Sequence, residues 1–309
     1  MNIQEKIFRL NRNPLISDWF KQQLDKWIAF GMYNNDLSRL RNSIVGELIE
    51  YRTLYKLSDV VIGISGGIDS ALTAALFKEA GYNVTGVLMP IHQNPEETDR
   101  GKELCETLGI QYIVRDLTPL YNNAMESMAD DHLGIGSDDF HSKARRGNVR
   151  ARLRMITLYD LASTKGGIVG STDNFSELAA GFWTLHGDVG DVAPLQSLTK
   201  SWEVPALAEL LGVPQSIVEA VPTDGLGIAN GDEDQFGFSY LEFDIALFGL
   251  IGGGIDLNKL DEKDQSIVKA VSDRVRSTTY KRANPYNLIH PIDSDRFNRL
   301  SDLDNYLRR

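Results

Sequence analysis

Residues 60–71 read V-V-I-G-I-S-G-G-I-D-S-A, an apolar strand pattern that runs through two adjacent glycines straight into the helical pattern ALTAALFKEA. Gly66 and Gly67 can take positive φ and let backbone N–H groups approach an anion with no Cβ in the way. A helix beginning near Asp69 adds unpaired amides and the positive end of its dipole, and Ser65 and Ser70 add hydroxyl donors. Such a junction binds phosphate. Asp69 is the exception, because a carboxylate facing polyphosphate repels it unless a divalent cation lies between them. The segment Gly63, Ile64, Ser65, Gly66, Gly67, Ile68, Asp69, Ser70 therefore points to a nucleotide held with Mg²⁺. A tight turn with a Ser or Asp cap accounts for one glycine and one cap, and leaves the rest of the string unexplained. Neither G-x-x-x-x-G-K-[ST] nor a helix-opening G-x-G-x-x-G occurs, so P-loop and Rossmann readings lose their main support.

Those residues need a sheet to present them. Apolar segments at 60–64, 83–89, 111–114 and 166–170 alternate with helices that start near Asp69 and Thr98 and with a third over 149–163. Such alternation builds βαβ units, giving an α/β fold with a doubly wound, mostly parallel sheet flanked by helices. Upstream, Trp19, Phe20, Leu24, Trp27 and Ile28, then Leu37, Leu40, Ile44 and Leu48, predict two amphipathic helices separated by Asn34-Asn35-Asp36. Residues 117–148 are polar and poorly periodic, which predicts an irregular excursion. Farther on, Thr199 is expected to cap a helix through Leu211, and Pro214 to open another. The Gly-, Asp- and Pro-rich 220–236 reads as a mobile loop, and 239–250 and 261–276 as helices.

With 309 residues, of which 42% are hydrophobic and 24% charged, the chain can bury a substantial core. A net charge of −11 disfavours non-specific binding to nucleic acid or anionic membrane, while leaving room for a local basic phosphate site. Cys105 stands alone, so no intramolecular disulfide forms. With no secretory signal in MNIQEKIFRLNRNP, a cytoplasmic location is expected. No acid–base partner lies near Cys105 in sequence, and it reads as a helix core residue.

The loop resembles that of the N-type ATP pyrophosphatases, which cleave ATP between the α- and β-phosphates and transfer AMP to an acceptor. Arg146-Gly147-Asn148-Val149-Arg150-Ala151-Arg152, Val169-Gly170-Ser171-Thr172-Asp173, Glu177, Gly187-Asp188, Pro194-Leu195, Lys200, Pro222-Thr223 and Tyr280-Lys281-Arg282 follow it in order. That series resembles the ammonia-using NAD synthetase family over roughly residues 55–285. The resemblance implies an adenine-nucleotide α-hydrolase-like fold with added N- and C-terminal helices. It divides the chain into a helical, dimer-forming segment at 1–55, the synthetase domain at 56–285 and a tail at 286–309.

By the same resemblance Asp69 and Glu177 hold Mg²⁺. Thr172, Lys200 and Thr223 join the loop in binding ATP, and Asp69, Lys200 and Lys281 are catalytic. Asn148, Arg152, Leu185, Asp191, Glu233, Tyr280 and Lys281 fall at positions that bind deamido-NAD. Taken singly, Glu177 is also a first-turn helix acid, the lysines ordinary surface cations and the threonines turn caps. Much of the basic cluster formed by Lys143, Arg145, Arg146, Arg150, Arg152 and Arg154 also fits the exposed face of a helix. The chain departs from the family pattern at Leu185, where a lysine is usual, and at Tyr280, where a histidine is. The implied reaction amidates deamido-NAD with ammonia through an acyl-adenylate, releasing AMP and pyrophosphate in a homodimer whose dinucleotide site spans the interface. Free ammonia is the expected donor, because the first 55 residues read as helices rather than a glutaminase. The alternatives are another N-type enzyme, GMP synthetase-like or tRNA-modifying, and a catalytically weak nucleotide-binding protein.

Overall fold

Alternation along one strand sets the layering. Val60 and Ile62 face one side of the sheet and Val61 the other, and all three are fully buried, so helices must cover both faces. In a computed structural model, which describes residues 2–11, 16–128, 139–220, 233 and 237–282, that is the arrangement. Strands β1 (Asp59–Gly63), β2 (Asn83–Leu88), β3 (Gln111–Val114) and β4 (Ile168–Val169) pair in parallel in the order β3-β2-β1-β4.

The helices in chain order are α1 (Ile3–Leu10), α2 (Asp18–Ala29), α3 (Leu37–Tyr55), α4 (Ile68–Glu79), α5 (Pro95–Leu108), α6 (Thr118–Ser127) and α7 (Phe140–Lys165). There follow α8 (Phe175–Ala180), α9 (Glu203–Leu210), α10 (Gln215–Val218), α11 (Tyr240–Ile251), α12 (Glu262–Ser277) and α13 (Thr279–Arg282). On one face Val60 and Ile62 pack with Leu48 of α3, Leu72 and Phe77 of α4, Leu104 of α5 and Leu207 of α9. On the other, Val61, Val87 and Val169 meet Tyr121 of α6 and Ala162 of α7. A further core joins Ile7 of α1 and Phe20, Leu24 and Trp27 of α2 to Phe243, Ile245 and Phe248 of α11 and Ile267 and Val271 of α12. The apolar faces of α1 and α2 are thus covered within the chain.

Cys105 sits in the first core, where burial pushes its thiol up to about 11, an inert environment.

Three local expectations are corrected. Within 117–148, the described residues form α6 and the first turns of α7, which Asp139 caps by accepting from Ser142 N at 3.0 Å. Apolar periodicity is missing there because Phe140, Ala144 and Asn148 line a cavity instead of packing into a core. The apolar stretch 166–170 pairs as a strand only at Ile168–Val169, between flanking glycines. Thr199 does not open a helix: α9 starts at Glu203, and the buried Thr199 hydroxyl bonds the Glu203 carboxylate, leaving 199–202 as a turn. The loop expected over 220–236 lies, but for Ala220 and Glu233, outside the described residues, as do the tail at 286–309 and Thr223.

Candidate active site

From β1 the chain winds toward β2 and β3 on one side and reaches β4 on the other. The crevice at the carboxyl ends of β1 and β4 is therefore the topological switch point at which open α/β sheets bind ligands. A cavity of about 620 Å³ opens there. Every residue from Gly63 to Ser70 lines it, together with Thr172, Glu177 and Lys200, which the chain delivers from three separate segments.

The loop is held open by bonds to itself and to its neighbours. Ser65 Oγ accepts from Gly67 N at 3.1 Å, and Ser70 Oγ accepts from Ser65 N at 3.2 Å and donates to Gly67 O at 3.0 Å. Gly66 has φ +84°, and a Cβ there would collide with the Glu97 carbonyl, so no other residue fits. No side chain caps α4 at Gly67, and the helix opens with bare amides at the cavity wall. From the β2 end, Gln93 donates to Ser65 O at 3.3 Å and Arg100 to Gly66 O at 3.4 Å. Arg154 fixes Gln93 in turn, at 3.4 Å, and donates to Met89 O at 3.1 Å.

At the helix end of the loop, Asp69 faces Glu177 across the ammonium of Lys200. The ammonium contacts Asp69 Oδ2 and lies 3.3 Å from Glu177 Oε1, and the three side chains, in the order Asp69, Glu177, Lys200, are only 17%, 14% and 8% exposed. A lysine nitrogen between two largely buried carboxylates marks a position built for positive charge, so the residues fit a divalent cation. Among the described residues no group of three or more His, Cys, Asp or Glu could hold a metal by itself. Two carboxylates completed by phosphate oxygens and water is the arrangement Mg²⁺ takes in nucleotide sites.

Beneath Lys200 lies a buried polar layer. Its backbone N–H donates to Ser176 Oγ at 3.0 Å, and Ser176 donates to Asp244 Oδ1 at 2.5 Å. Asp244 also accepts from Ser201 N at 3.1 Å and is fully buried, and that burial pushes its carboxyl up to about 7. Glu203, likewise raised by burial, accepts from Asn34 N at 2.9 Å and Thr199 N at 3.1 Å. These bonds fix the turn that points Lys200 into the cavity.

The second-substrate residues are more dispersed. Asn148, Tyr280 and Lys281 line the cavity; Arg152, Leu185, Asp191 and Glu233 do not. Arg152 donates to Leu185 O at 3.3 Å. Asp191 accepts from Val169 N at 2.8 Å and from Tyr159 at 2.9 Å, tying down β4. Glu233 accepts from Tyr240 N at 2.7 Å. Lys281 donates to the carbonyls of Gly181, at 2.6 Å, and Trp183, and burial lowers its pKa. Asp188, three residues before Asp191, does line the cavity; it is raised by burial and accepts from Thr184 N at 2.6 Å.

Sequence reasoning passed over Gln93, Arg100 and Asp188 as site residues and did not single Arg154 out from its basic cluster. The available signal was position: 89–100 follows the carboxyl end of β2, on the same sheet edge as the loop.

Sheet order, switch-point cavity and phosphate loop define a nucleotide-handling α/β protein of the adenine-nucleotide α-hydrolase fold. Within that class the chain belongs to the NAD synthase family, whose model matches residues 40–285. It is 35% identical over 250 residues to the NH(3)-dependent NAD(+) synthetase of Pyrococcus furiosus, covering 78% of this chain and 92% of that one. The enzyme of the same name from Thermococcus kodakarensis is 39% identical over 231 residues, 73% of this chain and 87% of that one. Among solved structures, the NH3-dependent NAD synthetase from Campylobacter jejuni superposes with TM-score 0.66 and 28% identity, over 82% of this chain and 99% of its own. The NMN synthetase from Francisella tularensis superposes with TM-score 0.68 and 28% identity, over 81% and 97%.

Proposed function

We propose that the chain is a ligase that amidates deamido-NAD to NAD with ammonia, consuming ATP and releasing AMP and pyrophosphate. The carrying observation is the convergence of the 63–70 loop with Asp69, Glu177 and Lys200 on one cavity, in a chain of the NAD synthase family.

Residues 65–70 hold the β- and γ-phosphates through backbone amides and the two serine hydroxyls, leaving the α-phosphorus exposed to an acceptor in the same cavity. A nicotinate carboxylate oxygen attacks that phosphorus and pyrophosphate leaves. Mg²⁺ held by Asp69 and Glu177 supplies, when bound, charge neutralisation to the phosphates. Lys200 stabilises the charge that develops on the departing group. Ammonia then attacks the acyl carbon, and AMP carries away the original carboxylate oxygen. Thr172 and Thr223 complete the ATP site in this reading. Asn148, Arg152, Leu185, Asp191, Glu233, Tyr280 and Lys281 serve the acceptor side, with Arg152, Leu185, Asp191 and Glu233 outside the cavity of a single chain.

The reading includes a cytoplasmic homodimer. The exposed Phe140 and Ile156 of α7, beside the cavity, support an apolar contact on that face. Among the described residues no helix is long and apolar enough to cross a membrane. Light scattering under assay conditions checks the dimer, which a monomer at all active concentrations rules out.

The purified chain with ATP, Mg²⁺, ammonium and deamido-NAD should yield NAD, AMP and pyrophosphate in equal amounts. Preference for the nicotinic acid mononucleotide would move the acceptor toward that of the Francisella neighbour. Amidation of an unrelated carboxylate would favour another N-type acceptor, and nucleotide binding without turnover a non-catalytic protein.

A further inference from the structure

Two strand ends each contribute one acid to the cation position: Asp69 follows β1 and Glu177 follows β4. Their separation is set by neither strand. Asn174, wholly buried, touches both. Its side-chain amide nitrogen donates to Asp69 Oδ1 at 2.9 Å, and its side-chain oxygen accepts from Glu177 N at 3.0 Å, capping α8. Its own backbone N–H donates to Glu177 Oε2 at 3.3 Å.

We propose that Asn174 is the positioning residue of the cation site, locking the Asp69 and Glu177 carboxylates into one geometry so that their remaining oxygens converge on the ion. The inference rests on the metal-assisted reading above.

The chemistry calls for this residue type. Asparagine puts a donor and an acceptor on one planar group, and the network fixes which end is which: the oxygen must face the Glu177 amide and the nitrogen the Asp69 carboxylate. Serine or threonine would cap α8 equally well but carries no donor that reaches a second element. Aspartate would cap it and set a third carboxylate against Asp69. Lys200 bridges the same two acids, but through Asp69 Oδ2 and Glu177 Oε1, the oxygens that a cation taking its place would meet. Asn174 holds Asp69 by its other oxygen and therefore keeps its grip whether ammonium or metal fills the gap.

Comparison of Asn174→Ser with Asn174→Ala separates positioning from capping. Mn²⁺, followed by its electron paramagnetic resonance, is titrated into each full-length protein with α,β-methylene-ATP, which cannot be cleaved at the reacting bond. Thermal midpoints are measured alongside. Asn174→Ser is expected to bind Mn²⁺ about tenfold more weakly than the unaltered protein, as befits one lost bond to a charged group, with a midpoint near normal. Asn174→Ala should show the same weakening with a lower midpoint. In turnover, excess Mg²⁺ should restore kcat to Asn174→Ser while its half-saturating Mg²⁺ stays high. Mn²⁺ affinity in Asn174→Ser equal to that of the unaltered protein would leave Asn174 a helix cap and overturn the proposal. Absence of nucleotide-dependent Mn²⁺ binding in the unaltered protein would instead remove the metal reading, and this inference with it.

Discussion

The ammonium of Lys200 occupies the gap between Asp69 and Glu177, contacting one carboxylate and lying 3.3 Å from the other. A lysine thus balances two acids that, in the proposed reaction, a divalent cation would balance, and nucleotide phosphates would give that lysine a second place to go. Lys200→Met should reduce kcat/KM by about 10²–10³-fold through loss of a preorganised charge. It should also lower the thermal midpoint in the absence of metal, since two buried carboxylates are left unbalanced. Adding MgCl₂ should raise that midpoint more in the variant than in the parent. Equal Mg²⁺ responses in the two proteins would show that Lys200 and the cation do not share the site.

Gly66 and Gly67 are adjacent yet constrained differently. Gly66→Ala forces a Cβ onto the Glu97 carbonyl at φ +84°, and should cost about 1–3 kcal/mol of stability as well as nucleotide binding. Gly67 has φ −95°, and a Cβ there meets only Ser65 Oγ, at 3.3 Å. Gly67→Ala should therefore stay within about 1 kcal/mol of the parent in denaturant unfolding while weakening ATP binding. Comparable stability losses in both would contradict the loop geometry.

Burial sets Asp244 at about 7, against about 4 in an unfolded chain. Between those values the folded protein keeps a proton that the unfolded one has lost, so this group's contribution to stability falls as pH rises through the window and is smallest above it. Asn can accept from Ser201 N and donate to Ser176 Oγ in the same space. Asp244→Asn should match the parent near pH 4 and gain on the order of 4 kcal/mol by pH 8. A constant difference across that range, measured by urea unfolding, would contradict the buried-acid assignment.

Asp191 bonds the backbone of β4 and Tyr159, whose hydroxyl burial and this acid raise to about 12. Asp191→Ala should cost about 1–3 kcal/mol of stability and, if Asp191 serves the acceptor side as proposed, also raise KM for deamido-NAD. Lost stability at an unchanged KM would remove Asp191 from the acceptor site.

Much of this architecture is legible in the sequence. The phosphate loop announces itself locally, since two glycines, flanking serines and an acid between a strand and a helix depend on nothing distant. Strand order is less legible, because periodicity shows that β1, β2, β3 and β4 exist but not that β4 returns beside β1, which is what creates the crevice. Gln93, Arg100 and Arg154 act through contacts 28, 34 and 65 residues away in sequence, and their types are common on any surface. Lys281 shows the converse: its motif marks it as a site residue, but not that its ammonium bonds the carbonyls of Gly181 and Trp183. The first turns of α7, at 140–148, are hidden because a face that lines a cavity carries polar and small residues where a core face would carry apolar ones.

Transfer of AMP to the acceptor carboxylate is most directly tested by labelling that carboxylate with ¹⁸O and following the label through one turnover. One ¹⁸O should arrive in the phosphate of AMP and none in pyrophosphate. Label in inorganic phosphate with ADP as the nucleotide product, or AMP free of label, would contradict adenylation at this site.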